Sequence, residues 1–167
     1  MTAGALKVEI LAPGPPALVS ISGPLDEDAD LAGPLSGLAG GAILDLAGLT
    51  RINSCGLRSW IQAIQTLESQ GSVVYRRVPV FLIQQFNQVL NARGHGAVES
   101  FQAPYYCDAC DRESTPCIDS AAVTTAPGGW LQPPAQTCAH CAAALSFDDD
   151  PERYFLFLEI SRRGGGA

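Results

Sequence analysis

Basic charge is scarce in this chain: 10 Lys and Arg stand against 17 Asp and Glu in 167 residues, a formal net charge of -7. A general nucleic-acid binder needs clustered Lys and Arg to neutralise phosphates, so that class is set aside. Five of the ten basic residues, Arg51, Arg58, Arg76, Arg77 and Arg93, lie mid-chain and read as solvated helix ends and strand edges. Long apolar runs are missing too, for none reaches the ~18 residues that span a bilayer. The N-terminus has no basic region followed by an apolar stretch, so no signal peptide is expected. Catalytic sets are also lacking: there is no Ser-His-Asp or Cys-His-Asp group with a usable base, no Gly-rich phosphate loop followed by Lys, and no open metal site. These absences point to a cytoplasmic protein that is not an enzyme.

What the chain does have is an organising stretch at 41–60. Residues 41–46 (GAILDL) have the length and composition of a buried strand, followed by a brief turn. A helix then starts near Asn53 or Ser54, either of which has the short side-chain oxygen that caps a first turn. Leu57, Trp60, Ile61, Ile64 and Leu67 share one face at a period of 3.6. Gly56, without a side chain, lets another surface approach the backbone. The free N–H groups of such a corner favour an anion, and a hydroxyl there can carry phosphate.

The elements around it follow in order. Residues 6–11 and 17–22 read as strands joined by the Pro-rich turn 13–16. Acids at 26–30 open a weak helix with Leu31, Leu35 and Leu38, which Gly33-Pro34 must weaken or kink. Gly71 ends the central helix, and 72–78 is a strand. Pro79 starts a helix over 80–92 with Leu82, Ile83, Phe86, Val89 and Leu90 facing inward. His95, between Gly94 and Gly96, reads as an exposed helix-end residue, and 97–105 as a last strand. The order β-β-α-β-α-β-α-β implies an α/β domain: an open mixed sheet with helices packed on one face.

The pattern Asp45-Leu46-x-x-Leu49-Thr50-x-Ile52-Asn53-Ser54-Cys55-Gly56-Leu57 resembles the signature of the STAS family, which includes the bacterial anti-sigma factor antagonists. The resemblance covers residues 7–106 and implies a STAS-like domain over 1–104. It implies a protein–protein interaction module for signal transduction, docking a partner such as a GHKL-type anti-sigma kinase through Asn53, Ser54, Cys55, Gly56, Leu57 and Arg58. Ser54 stands at the family's phosphoacceptor position, where phosphate would add charge and release the partner. Asn53 replaces the family's acidic residue and Cys55 its second hydroxyl. Read from the residues alone, Ser54 serves equally as a plain helix cap. Cys55, at a helix N-terminus, reads as a small apolar residue under the loop, or else as a thiol open to oxidation. An alternative keeps the fold and makes the corner a sensor for an anion or lipid-like ligand, with Arg51 and Arg58 supplying charge.

Four of the six cysteines form two CxxC pairs, Cys107/Cys110 and Cys138/Cys141, 27 residues apart. Two such pairs are the signature of a four-thiolate zinc ribbon in a reducing compartment, one structural ion held tetrahedrally, with an intervening segment slightly longer than usual that leaves room for a hairpin arm or loop. Cys117 and His140 lie close enough in sequence to compete as ligands. The extension over 105–167 is acidic, which speaks against nucleic acid. Acids at 148–150 and Pro151 start a C-terminal helix bearing Tyr154, Phe155, Phe157, Leu158 and Ile160. That aromatic face either packs on the rest of the chain or docks a partner or second copy, a possible homodimer. The tail 162–167 is expected to fray.

Overall fold

The computed structural model describes residues 4–159; Ile160 and the tail, for which a helical turn and fraying are expected, lie outside them. Five strands form the main sheet in the order β1-β2-β3-β4-β5: Lys7–Ala12, Ala17–Leu25, Ala42–Ile52, Val73–Arg76 and Ala97–Val98. β1 is antiparallel to β2, and the other neighbours are parallel, so the sheet is mixed. Alternation sets its two faces. Val19, Ile21, Leu44, Leu46, Val73 and Tyr75 are buried on one of them. Ser20 and Asp45 lie on the other, where Arg77 pairs with Asp45 and Arg76 with Glu99.

β3 is longer than expected. Instead of stopping at Leu46 it continues to Ile52, because β2 runs alongside as far as Leu25 and supplies ladder partners. The register shifts near Ser22 and Gly48, where a Cβ on Gly48 would crowd Ser22.

Three helices cover the apolar face: α1 (Ala32–Leu35), α2 (Ser54–Gln70) and α3 (Val80–Gln88). Trp60, Ala63, Ile64 and Leu67 of α2 are buried, and Trp60 packs 5.9 Å from Tyr75 and 6.5 Å from Phe86. The polar atoms of that cluster are answered by backbone. Trp60 Nε1 donates to Ala92 O at 2.7 Å and Tyr75 OH to Arg93 O at 2.6 Å. Burial pushes the Tyr75 hydroxyl pKa upward.

α1 is one turn, not a helix opening at 26–30. Gly37 at φ 84 and extended Ser36 stop it, although Leu31 and Leu35 still reach the core. α3 ends at Gln88, four residues early, because Val89 is extended and Asn91 has φ 68. Leu90 is thereby turned outward, 87 % exposed, against the inward position that the periodicity gives it; Ala92 takes the buried place.

The expected strand 97–105 is three pieces: β5, β6 (Ser100–Gln102) and β7 (Tyr105–Cys107). Pro104 has no N–H to donate, and the ladder breaks there. β6 pairs instead with β9 (Cys117–Asp119), Phe101 facing Ile118. β7 joins β8 (Arg112–Ser114) and β12 (Ser146–Phe147) in a three-stranded sheet. A two-stranded arm, β10 (Thr124–Thr125) and β11 (Leu131–Gln132), lies between the knuckles in sequence, with Leu131 packed into the buried cluster.

The C-terminal helix begins as the acids and proline require. Asp150 caps α4 (Pro151–Tyr154), accepting from Glu152 N at 3.0 Å. It pauses at Phe155 before residues 156–159 become helical again. Its aromatic face is covered. Tyr154, Phe155, Phe157 and Leu158 are all buried, and Phe101 has Phe157 edge-on at 5.0 Å and Phe155 at 6.0 Å. Asn87 of α3 clamps the segment, donating to Tyr154 O and accepting from Phe157 N, both at 2.9 Å. One buried cluster therefore runs from the main sheet through Phe101 into the C-terminal third. Among the described residues no helix is long and apolar enough to cross a membrane.

Candidate metal centre and helix-start corner

The two knuckles repeat one local geometry. After Cys107, Asp111 turns left-handed (φ 56) and its N–H donates back to Cys107 O at 2.9 Å. After Cys138, Ala142 does the same (φ 58), donating to Cys138 O at 2.9 Å. Each reversal points both thiols of a pair to one side. Tyr106 OH bonds the Asp111 carboxylate, and Ser146 Oγ donates to Asp108 at 2.9 Å, fixing the first knuckle to β7 and β12.

The four sulfurs of Cys107, Cys110, Cys138 and Cys141 lie within 4.8 Å of one another, with Cys107–Cys141 at 3.5 Å and Cys110–Cys138 at 3.6 Å. A tetrahedral ion with metal–sulfur bonds of ~2.3 Å sets its ligands roughly 3.8 Å apart, so the cluster is suited to hold one metal ion. Cys107 and Cys138 are buried, while Cys141 faces solvent. The thiols perturb one another. Cys138 is held down, at about 6, chiefly by the His140 N–H, which reaches its sulfur at 3.5 Å. Cys110 is pushed up to about 12, first by its bond to Cys107. A cation relieves that competition by stabilising all four thiolates together.

The two rival ligands stand apart. The His140 ring faces Arg112, with Nε2 3.4 Å from the guanidinium, and Cys117 is exposed on β9. Neither belongs to the cluster.

At the start of α2 the cap is Asn53, whose Oδ1 accepts from Gly56 N at 2.9 Å. Ser54 is exposed, and its hydroxyl makes no hydrogen bond among the described residues. Cys55 and Arg58 are exposed beside it, and Leu57 is half-buried. Gly56 is buried because the corner packs on the end of β2: a Cβ would collide with the Leu25 carbonyl. Asn53 N also donates to Leu25 O at 3.0 Å.

Two acids that sequence reasoning assigned to a helix start instead belong to this corner. Asn53 Nδ2 donates to Glu27 Oε2 at 2.7 Å, and Arg51 pairs with Asp26 at 2.8 Å. Its own backbone N–H, and then the Asn53 amide, hold the Glu27 carboxyl below its ordinary value. No local signal marks this, because it is the parallel pairing of β2 with β3 that delivers residues 26–27 next to 51–53. Beside the corner, a groove between 27–32 and α2 is rimmed by Glu27, Asp28 and Asp30. His95 is 98 % exposed at the far end of α2, its Nδ1 3.2 Å from Glu68.

Set against family models, curated proteins and solved structures, the chain matches none of them.

Proposed function

We propose that this chain is a non-enzymatic, STAS-type interaction module of bacterial signal transduction, docking a protein partner through residues 53–58. The partner class that the resemblance implies is a GHKL-type anti-sigma kinase or a related signalling protein. The observation that carries the reading is the division of labour at the corner: Asn53 supplies the cap, which leaves the Ser54 hydroxyl exposed and unbonded at the first turn of α2. Phosphate there would meet the helix N-terminus while its charge spread over the exposed Cys55 and Arg58 surface.

In the same proposal the four cysteines hold zinc, one structural ion with no open position. The residues of this chain fix the thiols through the two backbone reversals, and the ion would supply the charge that keeps all four deprotonated.

The test is quantitative co-purification of wild-type, Ser54→Ala, Ser54→Glu and Arg58→Glu chains from their own cells, with elemental analysis of each. The expected result is one zinc in all four and a partner retained by wild type and Ser54→Ala only. Equal recovery of that partner by the Ser54→Glu chain overturns the docking surface; a chain free of zinc under reducing conditions overturns the metal assignment.

A further inference from the structure

The main sheet has two edges, and they are treated differently. At the β5 edge Ser120 closes the ladder: its Oγ donates to Val98 O at 2.6 Å and its N–H to Glu99 O at 2.9 Å. At the β1 edge, among the described residues, the strand backbone bonds to β2 alone. A strand left in that state presents a row of unpaired N–H and C=O groups to any strand that fits it.

The side chains of β1 say which strand fits. Lys7 and Glu9 share one face and lie opposite Ser22 and Ser20, so neither faces an opposite charge across β2. Both are exposed, and neither makes an ion pair among the described residues. Leu6, Val8 and Ile10 share the other face, where Leu6 and Val8 touch the core and Ile10 is 49 % exposed. The register with β2 shifts between Ile10 and Ala12, so the regular ladder ends at Ile10. The regular ladder covers Lys7 to Ile10, and within it Lys7 and Glu9 flank Val8.

We propose that β1 joins β1 of a second copy of this chain, antiparallel, about a two-fold axis through Val8. In that register Lys7 of each copy faces Glu9 of the other, and Leu6 faces Ile10. Sliding by one residue pair either way sets Lys7 opposite Lys7 or Glu9 opposite Glu9, which is unfavourable, so the charges select one register. An axis perpendicular to the sheet keeps the helices of both copies on the same side and makes the two five-stranded sheets continuous. The covered aromatic face of the C-terminal segment plays no part.

The test is sedimentation velocity on the full chain over a dilution series, with Lys7→Glu and Glu9→Lys chains alone and mixed. Wild type is expected to shift from monomer to dimer with concentration. Each single variant puts like charges opposite each other and loses the dimer. Mixing the two variants restores it, because every facing pair is again opposite in sign, and this rescue separates the register from any loss of fold. Wild type that stays monomeric overturns the proposal. So does a dimer indifferent to the single variants, or a mixture that stays monomeric while each variant melts like wild type.

Discussion

In the C-terminal third, four thiols up to 34 residues apart meet through two short turns of the same shape, each closed by a backbone bond from a left-handed residue. At the start of α2, one residue, Asn53, caps its own helix and also binds Glu27 from a strand end 26 residues away. The first arrangement is local geometry used twice; the second exists only because β2 and β3 pair along their whole length. Each region draws its order from a different source. The knuckles enclose few large apolar side chains and gather four thiols suited to one metal ion, whereas the corner rests on a sheet and helix layer that buries Trp60, Tyr75, Ile21 and Leu44.

Withdrawing the metal is the strongest way to break that comparison. Structural ions of this kind contribute on the order of 10 kcal/mol to the segments they fold. Chelation, or Cys107→Ser, is expected to erase the ordered structure of 105–114 and 137–147 while α2 keeps its helicity, read by near- and far-UV circular dichroism. Next comes Phe101, the side chain shared by both regions. Phe101→Ala removes a ring that is fully buried against Phe155 and Phe157, at a cost of about 3–5 kcal/mol in urea unfolding. A much smaller loss would mean that the two regions barely depend on each other.

The corner should respond more mildly. Asn53→Ala removes the cap and costs about 1 kcal/mol. Ser54→Ala touches an exposed, unbonded hydroxyl and changes stability by less than about 0.5 kcal/mol. The reverse order would assign the cap to Ser54. The smallest effect belongs to Glu27. Its folded pKa lies below the ordinary value, so its contribution is present above that value and fades as pH falls through the depressed one. Glu27→Gln should flatten that part of the acid dependence in thermal melts between pH 7 and 3 by lowering neutral-pH stability slightly, toward the level wild type has in acid.

What could be read from the sequence follows the same divide. The CxxC spacing names all four thiols that converge, since two residues between cysteines suffice for the turn. The α2 face is equally legible, because Trp60, Ile64 and Leu67 recur at helical period and are buried. Contacts made by tertiary pairing were not legible. Glu27 and Asp26 look like helix-opening acids until β2 delivers them to Asn53 and Arg51. Leu90 fits a helical stripe, yet the chain leaves the helix at Val89, and the one local mark is Asn91, which takes the left-handed conformation two residues on. Pro104 did mark the end of a strand, but the transfer of β6 to β9 depends on Ile118, a distant partner with no local signature. The aromatic residues 154–158 carried two readings; burial against Phe101 and Asn87 decides for packing.

Hydrogen exchange on the full chain, followed by mass spectrometry with and without a chelator, tests most directly the claim that the two regions owe their order to different causes. Protection is expected to collapse over 105–114 and 137–147 in the chelator. It persists over 42–52 and 54–70. Protection unchanged at the knuckles, or lost from α2 and β3 together with them, would contradict it.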